Sequence, residues 1–255
     1  MQALRTRWLS LLSLAIFFSI WEVLCRTGVV SPILLSPPTR IAVEGWTHLG
    51  SGRWNEDFEI TFLAFALSIL IASLLGTVAG VAMGASRALF HLVNPYVIAM
   101  NALPKIVICP LIMLWFGTGL SARVFLGVVM AGFPIIVSTL TGVQSVDRDF
   151  LLLARAYGAS RRTILVSILL PAITPFVLSG MRVGVNYAMV GILIVEFFAS
   201  SRGIGYRLYA YSQNFQIDLF FVLLVVVVGF TLVMTSLVHR AELHFGAWRD
   251  AAFRA

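Results

Sequence analysis

Few side chains in this sequence could do chemistry, and their spacing narrows the kind. Lys105, Arg182 and Glu196 fall inside long apolar stretches, with Glu22 and Asp218 near stretch edges. A cation at mid-membrane costs roughly 2.5–3.5 kcal/mol on insertion scales, so it must face protein, water or the headgroups. Lys105 and Arg182 therefore read either as cations beside a solute path or as side chains snorkelling from near a helix end. Glu196 stands just before Ser200-Ser201-Arg202-Gly203-Ile204-Gly205-Tyr206. It reads as a structural ion pair or cap, or as part of the same path. So few carboxylates argue against a carrier driven by protons or sodium. His48, His91, His239 and His244 sit at stretch edges or in loops, and neither H-E-x-x-H nor G-x-S-x-G occurs. No catalytic constellation is expected inside the membrane. Cys25 and Cys109 have neither disulfide nor metal-ligand spacing, so no metal site is expected.

Composition sets the elements that must position these groups. Of 255 residues, 60% are apolar and only 11% charged. Soluble domains carry about 25% charged residues. A soluble enzyme, a disordered tail and a DNA-binding module are therefore disfavoured. The net charge of +7 lies between apolar runs, which points to a bilayer and not to nucleic acid. Six windows are long enough to cross about 30 Å of hydrocarbon. They run over 8–24, 60–84, 96–116, 122–143, 172–199 and 217–238. The expected fold is an all-α polytopic membrane protein of about six transmembrane helices, one domain over 1–255, because backbone in lipid must satisfy itself. No small-x-small site follows the first window, so it reads as a retained anchor and not a signal peptide.

An even number of spans puts both termini on one side. That side collects Arg5, Arg7, Arg87, Arg148, Arg155, Arg161, Arg162, Arg240, Arg249 and Arg254. The other holds Arg26, Arg40, Arg53, Arg123, Arg202 and Arg207. The arginine-rich side, with both termini, reads as cytoplasmic.

Gly76, Gly80 and Gly84 recur every fourth residue, as do Gly180 and Gly184. Such stripes let another backbone approach, either within one bundle or across a seam between two copies. Pro104 and Pro110 break the third window, as a packing kink or beside a pathway.

The stretch 144–171 reads QSVDRDFLLLARAYGASRRTILVSILLP. Asp147 can cap a helix, Gly158 can end it in the left-handed conformation, and Ser160 can cap a second helix that Pro171 stops or kinks. Phe150, Leu153, Ala154 and Tyr157 share one face, expected to pack back on the bundle. Arg148, Leu151, Leu152 and Arg155 share the opposite face. A leucine pair with a basic rim suits a groove in another protein, or else lies flat on the headgroups.

That stretch resembles the signature loop of membrane-spanning subunits of type I ABC importers, with their MetI-like bundle. The loop has the form E-A-A, three residues, G, nine residues, I, one residue, L-P. Ala154, Gly158, Ile168, Leu170 and Pro171 match, while Leu152 and Leu153 stand where Glu and Ala are usual. The resemblance implies a coupling loop over 144–171 that seats in an ATPase cleft. The missing carboxylate shifts the seating toward Leu151 and Leu152. The run from Ala102-Leu103-Pro104-Lys105 through Leu114-Trp115-Phe116-Gly117-Thr118-Gly119 is similar to the nitrate/sulfonate/taurine branch. So are Ser36-Pro37-Pro38-Thr39, Ser179-Gly180-Met181-Arg182 and Glu196 with Gly203-Ile204-Gly205-Tyr206. The branch implies a homodimer in the bacterial inner membrane with two ATP-binding cassette subunits, which carry the ATP and Mg, so this chain has no cofactor or enzymatic activity of its own. It also implies a periplasmic or lipid-anchored solute-binding protein. The solute would be anionic and sulfonate-, nitrate- or taurine-like, or else a thiamine-pyrimidine precursor or riboflavin-like heterocycle. Without such partners, the competing expectation is an ATP-independent secondary transporter or channel.

Overall fold

The computed structural model describes residues 2–252, with the side chains of 2–7, 10, 148, 199 and 246–252 outside the described residues. Of the arginines that set the expected orientation, Arg5, Arg7, Arg148, Arg249 and Arg254 thus lie outside the described side chains.

Every described element is helical. The order is α1 (Gln2–Arg26), α2 (Pro38–Leu49), α3 (Asn55–Ala85), α4 (Arg87–Ala102), α5 (Cys109–Phe116) and α6 (Leu120–Gln144). Then follow α7 (Arg148–Ala156), α8 (Arg161–Thr163), α9 (Leu170–Ala199), α10 (Ile204–Gln213) and α11 (Ile217–Ala252). Among the described residues four helices are long and apolar enough to cross a membrane, or five with the bent pair formed by α4 and α5. The first window coincides with α1.

The third window is broken for a local reason. A residue before proline avoids the helical region, and Leu103 is extended (φ −64°, ψ 133°) ahead of Pro104. The chain therefore leaves α4 at Ala102, takes a 3₁₀ turn over Lys105–Ile108, and enters α5 after an 89° bend.

The core is α6 held between α3 and α9. A Cβ on Gly80 would lie 2.6 Å from Thr139 Cβ and 2.9 Å from the Ile136 carbonyl oxygen. Gly76 meets Ile135 and Gly84 meets Val143, so the α3 stripe fits three α6 side chains at the same four-residue spacing. From the other side Gly180 abuts Ile135 and the Pro134 carbonyl, and Gly184 abuts Ala131. Both glycine faces are thus occupied within the chain, which leaves any seam between copies to other surfaces. Helices in lipid gain little from apolar burial alone, so this close packing supplies much of the attraction.

The edge carboxylates fasten α1 and α11 to α2. Glu22 accepts from the Thr39 backbone N–H at 3.1 Å and from its hydroxyl at 2.6 Å. Asp218 accepts from the Ser36 hydroxyl and pairs with Arg40 at 2.8 Å. The Ser36-Pro37-Pro38-Thr39 segment is thereby clamped, with Pro38 opening α2.

Gly80→Ala forces a methyl against Thr139, and overpacking of this kind costs about 1–3 kcal/mol. Its thermal unfolding midpoint in detergent should fall clearly. Gly229→Ala, where nothing lies within 4 Å, should not lower it.

Candidate functional site

The hairpin over 144–171 is built from local rules. Asp147 accepts from the Asp149 backbone N–H at 2.8 Å and starts α7. Gly158 has φ +83°, a conformation that costs other residues about 1–2 kcal/mol. The reversed chain is closed by Gly158 N–H to the Arg155 carbonyl (2.9 Å) and Ala159 N–H to the Ala154 carbonyl (3.0 Å). Ser160 then caps α8, accepting from Thr163 N–H at 3.1 Å.

Pro171 does not stop the second helix. Residues Arg161–Phe198 form one continuous rod of 38 residues, roughly 55 Å long. Just before the proline, Ile164–Leu169 widen into a π-helical turn, with Leu170 N–H reaching the Leu165 carbonyl. A wider turn gives the proline ring room where its missing donor and bulk would otherwise kink the rod. Ile164 and Leu169 are buried, Leu169 against Val143 and Ile173, while Ile168 is half-buried and Leu170 partly exposed. The hairpin is therefore the projecting end of α9.

The faces of α7 are the reverse of the sequence expectation. Leu151, Leu152 and Arg155 line a cleft toward the ends of α3 and α6. Leu153 and Tyr157, expected to pack inward, are 55% and 85% exposed, and Phe150 is 45% exposed. Leu152 sits on the boundary, lining the cleft yet 59% exposed. Both sides of α7 are apolar, so periodicity alone could not choose; the apolar ends Val143, Val146 and Leu169 fix the inward side. Ala154 is half-buried, and the Arg148 side chain lies outside the described residues.

The four candidate path residues fall in three separate places. Lys105 follows Pro104 at the bend, 3.1 Å from the Asn101 carbonyl and 5.2 Å over the Phe133 ring. Phe133 is midway along α6, so Lys105 sits at mid-depth and not at a span end. Among the described residues no carboxylate pairs with it. Arg182 instead reaches α11, 3.4 Å from Glu242 and 3.4 Å from His239.

Glu196 is fully buried at the opposite end of the bundle from the hairpin. Thr61 donates its hydroxyl to it at 2.8 Å, Gly205 N–H donates at 2.9 Å, and Arg123 Nε lies 3.3 Å away. Gly203 N–H donates to Asp57 at 2.7 Å and Ile204 N–H to the Thr61 hydroxyl at 3.0 Å. Arg207 closes the group on Asp57 at 2.7 Å. Two acidic groups at the first turn of α10 suit its dipole. These contacts are those of an ion pair and cap joining α3, α6, α9 and α10, with no exposed surface for a solute. Sequence reading missed Asp57, Thr61, Arg123 and Arg207. The signal available was Gly203-Ile204-Gly205, where a helix start without a side-chain cap of its own needs acceptors from elsewhere.

The chain is 27% identical over 237 residues to the putative aliphatic sulfonates transport permease protein SsuC of Bacillus subtilis, covering 93% of this chain and 86% of that one. It is 27% identical over 215 residues to the taurine transport system permease protein TauC of Escherichia coli, covering 82% and 78%. It is 27% identical over 187 residues to the formylaminopyrimidine transport permease protein ThiX of Halalkalibacterium halodurans, covering 73% and 74%. The family model described as binding-protein-dependent transport system inner membrane component matches residues 72–243. The chain therefore belongs to that family: it is a multi-pass inner-membrane permease subunit of an ABC importer, a class that works with ATPase and solute-binding partners.

Proposed function

We propose that two copies of this chain form the solute pathway, with both termini and the hairpin on the cytoplasmic side. Two separate ATP-binding cassette subunits hold ATP and Mg and grip the hairpins, and a periplasmic or lipid-anchored binding protein delivers the solute. The observation that carries this reading is α7 itself: an exposed apolar surface joined by a tight turn to a continuous helix long and apolar enough to cross the membrane. Closure of the ATPases would displace α7, and α8–α9 would pass that displacement to α6 without an intervening flexible joint. Nucleotide would thus bias a two-state bundle. Contact with the ATPase would fall on Leu152, Leu153 and Tyr157, since Leu151 faces the cleft.

The solute we infer is a small organic anion of the sulfonate class. Lys105 supports this: a cation at mid-depth without a carboxylate partner needs water or an anion beside it. The permeases for aliphatic sulfonates and for taurine, among the relatives, point the same way. The formylaminopyrimidine relative keeps a heterocyclic solute as the second reading.

Leu153→Asp with Tyr157→Asp should abolish co-purification with the ATPase; retention of the ATPase would instead favour a hairpin lying on the headgroups. Gly158→Val should leave insertion intact and cut solute-stimulated ATPase activity about tenfold, as its strain of about 1–2 kcal/mol distorts the α7–α8 angle. In proteoliposomes with all subunits, Lys105→Met should lower ATP-driven ethanesulfonate uptake about tenfold while Lys105→Arg retains most of it. Equal ethanesulfonate uptake by both variants would rule out a charge role for Lys105.

A further inference from the structure

The hairpin end of the bundle holds a cleft that the proposed ATPase contact borders only at Leu152. It opens between the last turns of α3 and α6 and the inward side of α7, with a volume of about 660 Å³. Its floor is apolar, formed by Val143, Val146, Ile164 and Leu169. Arg87 and Arg155 also line it, and no carboxylate does. Among the described residues neither guanidinium has an ion-pair partner.

Two like charges on one cleft repel unless an anion lies with them. A guanidinium offers paired donors that match phosphate oxygens. The level of the cleft matters equally. Because α3 ends at Ala85 and α6 at Gln144, it lies where apolar spans give way to loops, at headgroup height. Basic pockets between spans at that height suit anionic headgroups. Free phosphate would satisfy the arginines and leave the apolar floor uncovered. A zwitterionic lipid would bring an ammonium to a cleft lined by no carboxylate.

We propose that this cleft holds one anionic phospholipid, with its phosphate on Arg87 and Arg155 and its acyl chains over Val143, Val146, Ile164 and Leu169. The lipid then props α7 from behind, while Leu153 and Tyr157 remain free on the other side for the ATPase. The site meets the proposed ATPase contact only at Leu152, and its test does not depend on that contact.

The test is native mass spectrometry of the purified full chain after exchange into equal phosphatidylglycerol and phosphatidylcholine. The wild type should retain about one phosphatidylglycerol per chain in preference to phosphatidylcholine. Arg87→Gln with Arg155→Gln should lower that retention about tenfold, and the corresponding pair of lysine substitutions should restore part of it. Arg161→Gln with Arg162→Gln, which removes two charges that do not line the cleft, should leave retention unchanged. Equal retention of both lipids, undiminished retention in the Arg87/Arg155 variant, or equal loss in both arginine variants would overturn the proposal. So would binding of inorganic phosphate that excludes phosphatidylglycerol.

Discussion

The structure depends on how closely α3 and α9 approach α6. In a bilayer the surrounding lipid is as apolar as a leucine side chain, so helices do not adhere merely because they are greasy. They adhere where backbones come near enough for many weak contacts to add. Gly76, Gly80 and Gly84 open one groove, and Ile135, Thr139 and Val143 fill it. The filling side chains are all β-branched and hence stiff, so the fit is specific as well as close. Gly180 and Gly184 repeat the arrangement on the opposite side of α6. Remove that intimacy and only the buried group around Glu196, at one end, would still tie the three central spans together.

That register gives meaning to the two ends of α9. One end emerges as the hairpin; the other terminates in the buried group around Glu196. There Thr61, Arg123 and the α10 backbone surround the carboxylate completely. Burying an ion pair is weak support for stability, but removing one partner leaves an uncompensated charge and is strongly destabilising. The far end is therefore tied to three other helices, whereas the hairpin end carries the exposed apolar residues Leu153 and Tyr157.

Much of this was legible in the sequence because it is local. Asp147, Gly158 and Ser160 announce caps and a turn whatever surrounds them, and the structure places each in that geometry. The glycine spacing announces close approach, though only the structure shows that α6 is the helix approached. The orientation of α7 was not legible, since Leu151–Leu152 and Leu153–Tyr157 offer two apolar faces of similar strength. The choice falls to Val143, Val146 and Leu169, which lie up to eighteen positions away in sequence. The Glu196 group was hidden for a similar reason. Asp57 is one of three acidic residues at the start of α3, Arg123 and Arg207 lie near the starts of α6 and α10, and only folding makes them one group.

The widened turn at Ile164–Leu169 also sets an angle. A π turn holds one residue more than the α turn it replaces, and a residue in a regular helix turns the chain by about 100°. The rotational phase of α7 about the axis of α9 is therefore not dictated by the transmembrane helix. Gaining or losing a single amino acid in this turn would rotate α7 about that axis, while the buried Ile164 and Leu169 hold the present turn to the core.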